Sequence, residues 1–156
     1  MPIPEFVLTL RAKIGHDPLP LVGAIATVFD SRGRVLLVRR ADNHRWALVT
    51  GVLEPGEEPA AGALREIEEE TAVTARVERL LGVSARDLTT LPNGDQVWWT
   101  SILFQCRHVS GAPRVNDDES IDVGWFEPDR LPHPLPPQQA RCLALAQTDG
   151  PAWFAI

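Results

Sequence analysis

Between residues 59 and 71 two patterns run together on a helical repeat. Ala60, Leu64, Ile67 and Thr71 recur at spacings of three and four, which predicts a helix with one buried stripe. Pro59 suits the first turn, where its missing N–H is harmless. Glu66, Glu69 and Glu70 stand at i, i+3 and i+4, so three carboxylates share one face within about a turn. Glu57 and Glu58 lie at the positive end of the helix, where carboxylates are favoured. Like charges this close cost about 0.2–0.5 kcal/mol per pair. Arg65 offsets part of that through Glu69, four residues on. The natural partner for the rest is a hard divalent cation such as Mg²⁺, which accepts carboxylate oxygens, keeps waters and bridges to phosphates. Spacing alone leaves a solvated acidic face as the alternative. The fold has to bury one side of this helix and offer the other to water or to positive charge.

The same stretch carries the net charge. The 156-residue chain has a formal charge of -6, and residues 54–70 hold seven acids against one base, so the remainder is neutral. With no basic run, the chain is a poor binder of nucleic-acid polymers, which need Lys and Arg to displace counterions. A nucleotide-sized partner stays open, because a bound cation reverses the local field. The length predicts a single domain over residues 1–156 that buries its core without disulfides. Cys106 and Cys142 have no metal-ligand spacing and read as small buried residues. His16, His44, His108 and His133 share no spacing that suggests a site. Neither a membrane-length apolar run nor a secretory signal is evident, which predicts a cytoplasmic protein with no membrane partner.

Residues 5–15 read as a short helix or an edge strand, broken by Pro18 and Pro20. Two apolar strands, 21–29 and 35–38, flank a turn at 30–33. A third short strand covers 46–49, and 52–58 is a loop with Pro55 and Gly56. After the helix come β segments at 73–81 and 96–108, separated by a Pro92-Asn93-Gly94-Asp95 turn. A strand at 121–126, a proline-rich connection and a terminal helix at 137–147 complete the chain. The expected class is α/β (α+β), a mixed sheet between helices.

Around the acidic helix the chain reads Gly51, five residues, Glu57, seven residues, then Arg65-Glu66-Ile67-Glu68-Glu69-Glu70-Thr71-Ala72-Val73. This resembles the signature of the Nudix hydrolase family over residues 51–73 and matches eight of its nine specified positions. Leu36 to Arg40, Trp46, Leu48 and Trp125-Phe126 also look like landmarks of the family. The leader from Leu10-Arg11 to Gly15-His16, within residues 1–18, resembles that of a bacterial subgroup with a short N-terminal extension. Two positions depart from the pattern. Ala72 stands where a glycine closes the helix, and Val49-Thr50 stands where Pro-Gly is common.

The resemblance implies an α/β/α sandwich whose catalytic helix follows the loop after the third strand. It also implies a Mg²⁺-dependent pyrophosphohydrolase, with Mn²⁺ able to take the place of Mg²⁺. In that reading Glu66, Glu69 and Glu70 hold the metal beside the Gly51 carbonyl, and Arg65 orients the glutamates. Glu57 acts through Arg65 or from outside the metal's direct ligands. The base that takes a proton from water is Glu69, or Glu119 of the acidic tetrad 116–119. The substrate is a nucleoside diphosphate linked to another group, such as ADP-ribose or a nucleotide sugar, or a (d)NTP. A homodimer fits the family.

Specificity is expected outside the signature. Arg39, Arg40 and Arg45 are candidates for phosphate, and Trp46 and Trp98 for stacking on a base. Trp98 and Trp99 point to opposite faces in a strand, so only one of them faces a cleft. Two rival readings are a catalytically silent domain that senses nucleotides and an isoprenyl diphosphate isomerase. The first predicts lost glutamates, and the second a reactive cysteine.

Overall fold

In the computed structural model, which describes residues 3–156, the chain runs α1 (Glu5–Ile14), β1 (Leu19–Phe29), β2 (Val35–Arg40), β3 (Trp46–Ala47), β4 (Val49–Val52), α2 (Pro59–Thr71), β5 (Thr74–Ala85), β6 (Thr89–Thr90), β7 (Gln96–Ser110), β8 (Ser120–Phe126) and α3 (Pro137–Ala146). The expected mixed sheet between helices is present. Of the two readings for the leader, the helix is the one formed.

β1 organises the sheet. It lies parallel to β7 along its whole length, from Leu19 opposite Val97 to Phe29 opposite Arg107. Its other edge is shared. Gly23–Ala26 pair antiparallel with β4, and Phe29 pairs with Val35 of β2. β2 carries β3 and β8, and β7 carries β5 and β6, all antiparallel. A strand covered on both faces reads as a continuous apolar run, which is what residues 21–29 show. Ala24, Ala26 and Val28 pack with Ala63 and Ile67 of α2. Ile25 and Phe29 pack with Cys142, Leu143 and Ala146 of α3. Cys106 and Cys142 are buried free thiols, and burial pushes them up to about 12 and about 11, so neither is a nucleophile.

The expected third strand is in fact two. Trp46–Ala47 pair with β2, while Val49–Val52 turn to pair with β1. Leu48, wholly buried, sits at the switch, and its N–H donates to Gln139 Oε1 of α3 at 2.8 Å. A donor that belongs to neither ladder is satisfied by a side chain. This switch turns the chain so that Gly51 and the following loop deliver α2 to the far face of the sheet.

α1 shares the face that α3 covers. Val7 packs with Leu21 and Val97. Arg11 donates to the carbonyls of Gln96 at 2.8 Å and Asp17 at 2.6 Å, and His16 Nδ1 lies 2.7 Å from Asp95 Oδ1. These bonds join the leader to the turn before β7.

Candidate active site

α2 ends where the sequence departs from the signature. Ala72 adopts the left-handed conformation, φ 56 and ψ 18, and its N–H donates to Glu68 O at 2.9 Å. Alanine thus fills a glycine geometry, at some cost in strain but with no change in the helix end.

Arg65 gathers the acids around it. Its Nε and Nη2 donate to the two carboxylate oxygens of Glu57 at 2.9 and 3.1 Å. Nη1 donates to Glu66 Oε1 at 3.0 Å and Glu69 Oε2 at 2.9 Å. Nη2 also reaches Val52 O at 3.3 Å. That makes five bonds, as many as a guanidinium has N–H groups. Glu57 is fixed further by the Glu54 N–H at 3.0 Å, so loop and helix are tied through one ion pair.

Glu66 lies flat against the backbone of β4. A Cβ built at Gly51 would stand 1.8 Å from Glu66 Cδ, so only glycine leaves room for the carboxylate. Burial pushes the Glu66 carboxyl up to about 7, against the pull of Arg65. Glu70, 4% exposed, has no hydrogen-bond or ion-pair partner among the described residues. Burial, then the charges of Glu119, Glu66 and Asp117, hold its carboxyl well above the usual range. Glu69 is the exposed member of the set.

Glu119 comes from a separate element. Asn116 Nδ2 donates to Glu68 O at 3.1 Å and the Arg114 N–H to Thr71 O at 3.0 Å, which pins the acidic tetrad to the end of α2. The Glu119 carbonyl accepts from Ala41 N–H at 2.7 Å, and burial raises its carboxyl. Among the described residues no three His, Cys, Asp or Glu side chains already converge as a metal cage. Glu66, Glu69 and Glu70 of α2 share one helix face without forming such a cage. Their chemistry fits a cation nonetheless: hard oxygen donors, two of them buried, and one with no cationic partner.

An open cleft of about 1530 Å³ meets these carboxylates at Gly51 and Arg40 rather than enclosing them. Arg40, Arg45 and Trp46 line it. Arg40 is paired with Asp42, Nη2 to Oδ2 at 2.7 Å, whereas the Arg45 side chain has no partner among the described residues. Trp46 is set by its N–H to His133 Nε2 at 2.6 Å and by an edge contact with Phe126. Arg39 and Trp98 lie outside the cleft lining. Arg39 donates to His44 O at 3.1 Å, and Trp98 is 48% exposed. The cleft-facing indole is Trp99. Val97, Trp99, Ser101 and Leu103 share one face of β7, while Trp98, Ile102 and Phe104 share the other. Both faces are rich in apolar residues, so the sequence held no signal to choose between them.

The NUDIX domain family matches residues 19–146, and the chain belongs to the Nudix hydrolase family. Among curated relatives, a MutT-like protein of Streptomyces ambofaciens is 35% identical over 114 residues, spanning 73% of this chain and 68% of that protein. Among solved structures, a MutT NUDIX hydrolase from Burkholderia pseudomallei is 32% identical with TM-score 0.66, covering 81% of this chain and 98% of that one. A UDP-X diphosphatase is 28% identical with TM-score 0.63, covering 92% of this chain and 70% of that one. Nudix hydrolases generally use a divalent metal and bind small nucleotide substrates. No helix among the described residues is long and apolar enough to cross a membrane.

Proposed function

We propose that this chain is a Mg²⁺-dependent pyrophosphohydrolase that cleaves the diphosphate of a nucleoside diphosphate linked to a second group, ADP-ribose-like or a nucleotide sugar. One observation carries the metal assignment: Glu70 is buried and unpaired beside Glu66, while the only guanidinium on the helix is fully used by other groups. The cleft runs from Gly51 and Arg40 past Trp99 to Arg86, which leaves room for both halves of a two-part substrate. The likeness to a UDP-X diphosphatase points the same way.

Glu66, Glu69 and Glu70, with the Gly51 carbonyl, would hold the ion. When bound, it would neutralise phosphate charge, polarise a phosphoryl oxygen and make water easier to deprotonate. The chain's own residues do the rest. Arg65 positions Glu66 and Glu69 and is itself fixed by Glu57. Arg45 meets phosphate with an uncommitted guanidinium. Glu119 takes the proton from the attacking water at a carboxylate oxygen. It stands on a segment separate from the helix, and its charge acts on both Glu66 and Glu70.

A screen for phosphate-bond cleavage over ADP-ribose, nucleotide sugars, dinucleotides and (d)NTPs, with Mg²⁺ or Mn²⁺, tests the reading. The expected result is turnover of the two-part substrates with Mg²⁺, lost in Glu70→Gln. Unchanged activity in Glu70→Gln would overturn the metal assignment, and a panel inert with both ions would overturn the activity. Glu119→Gln is expected to lower kcat by about 10²–10⁴-fold, and more than Glu69→Gln lowers it at saturating metal.

A further inference from the structure

α1 and α3 lie on the same face of the sheet but do not meet. α3 covers Ile25, Phe29, Leu81 and Leu103, and α1 covers Leu21 and Val97. Between them the floor of the cleft is three strands wide. It consists of Gly23 on β1, Trp99 and Ser101 on β7, and Ser84 with the following Arg86 on β5. The register fixes their neighbourhood. Gly23 pairs with Ser101, Ser101 with Ser84, and the Arg86 N–H donates to Trp99 O at 3.0 Å. Three small residues beside one indole make a flat slot.

Two further observations say what the slot is for. A Cβ at Gly23 would lie 3.6 Å from Trp99 Cζ3 and 2.9 Å from the Gly51 carbonyl oxygen. The slot therefore abuts the backbone against which Glu66 rests. Ser101 is 6% exposed, and its hydroxyl has no hydrogen-bond partner among the described residues. The hydroxyl lines the open cleft, where it can donate to a ligand. The Arg86 side chain at the rim also has no partner among the described residues.

We propose that this slot is the nucleobase subsite, with Trp99 against the ring, Ser101 and Arg86 donating to its edge, and α1 as the outer wall. The assignment deepens the pyrophosphohydrolase reading and rests on it. An edge met by a guanidinium, which only donates, favours a base with ring carbonyls, so within the proposed class it narrows the preference to guanine or uracil nucleotide sugars over ADP-ribose-like substrates. It also gives the leader a task. Val7 and Arg11 line the cleft, and the bonds from Arg11 and His16 to the turn before β7 hold that wall in place.

Tryptophan fluorescence titrations of the whole chain in chelator test the slot without any catalytic step. The probes are GDP, UDP, ADP and the base-free ribose 5-diphosphate. GDP and UDP are expected to bind more tightly than ADP, and at least about tenfold more tightly than ribose 5-diphosphate. Ser101→Val fills the floor and suits a strand, and Trp99→Phe keeps an aromatic ring. Each is expected to weaken the nucleotides markedly more than the base-free diphosphate, with Tm checking the fold. Arg86→Met is expected to bring GDP and UDP to the level of ADP. Equal binding of nucleotides and ribose 5-diphosphate, or an equal loss for both in Ser101→Val, overturns the subsite. Tighter binding of ADP overturns the edge assignment. Base-dependent binding with no hydrolysis of any substrate would keep the slot and sink the hydrolase reading instead.

Discussion

A single methyl group at Gly51 would meet Glu66 first. Gly51 is not among the residues with positive φ, so alanine can take its backbone conformation without strain. The new Cβ would stand 1.8 Å from Glu66 Cδ and 2.1 Å from Oε1, where ordinary contact begins near 3.4 Å. The carboxylate has to retreat by about 1.6 Å, the gap between the first and last of those distances. Cγ, 2.2 Å away, has to move with it, so the whole side chain swings aside at an overpacking cost of about 1–2 kcal/mol. That corresponds to a drop in Tm of roughly 2–8 °C. A displacement beyond 1 Å in a positioned catalytic group costs on the order of 10² in rate. Gly51→Ala is therefore expected to lower kcat about 100-fold and to raise the Mg²⁺ concentration for half activity. Steady-state kinetics across a metal titration, beside thermal melts, read both effects. In a Glu66→Ala background the same methyl has nothing to displace and should cost little more. Wild-type kcat and metal dependence in Gly51→Ala would refute this reasoning, and so would an equal loss in the Glu66→Ala background.

Arg65→Lys keeps the charge but loses the fork that holds Glu57, Glu66 and Glu69; metal affinity or kcat should fall about 10–100-fold in a metal titration. Ala72→Gly relieves a left-handed alanine, worth about 1–2 kcal/mol, against glycine's entropy of about 0.5–1 kcal/mol. A Tm about 1–4 °C higher is expected by calorimetry, and a lower Tm would mean that the alanine methyl packs better than its strain costs. The third concerns pH with metal chelated. Glu66 titrates near its ordinary value when unfolded and at about 7 when folded, so it supports the fold below about pH 4.5 and that support is lost as pH rises to about 7. Relative to Glu66→Gln, which keeps the shape without the charge, wild-type Tm should fall across that window, by up to about 3 kcal/mol in stability. A constant difference from pH 4 to 8 would contradict it, and saturating Mg²⁺ should shrink the gap.

Sheet, helices and the acidic face were legible in the sequence because each depends on a period. The stripe Ala60, Leu64, Ile67 and Thr71 and the run 21–29 carry their burial in their spacing. What escaped was parity and partner choice. Trp98 and Trp99 differ by one residue, hence by one face, and a strand buried on both sides gives no alternation to decide between them. Arg39 and Arg40 pose the same question at the end of β2, where the pairing with β8 slips between them. The break at Leu48 was invisible for another reason. It is set by Gln139, 91 residues away, which takes the N–H that a continuous strand would have paired. The alanine at position 72 was seen, but only the folded chain shows that it keeps glycine's left-handed geometry rather than reshaping the helix end.

The excess negative charge now has a structural account. One guanidinium with five N–H groups serves Glu57, Glu66, Glu69 and a carbonyl, and it has no donor left for Glu70. Placing that last carboxylate in solvent would cost nothing, yet the fold buries it between α2 and the tetrad that Asn116 pins to the helix end. A buried carboxylate without a partner weakens the metal-free protein, and a divalent cation would gain more there than at an exposed acidic face. Stability and affinity are therefore coupled in opposite senses. Supplying Glu70 with a protein-borne cation would stabilise the metal-free fold and weaken metal binding together, so the two should move against each other across any set of variants at this face.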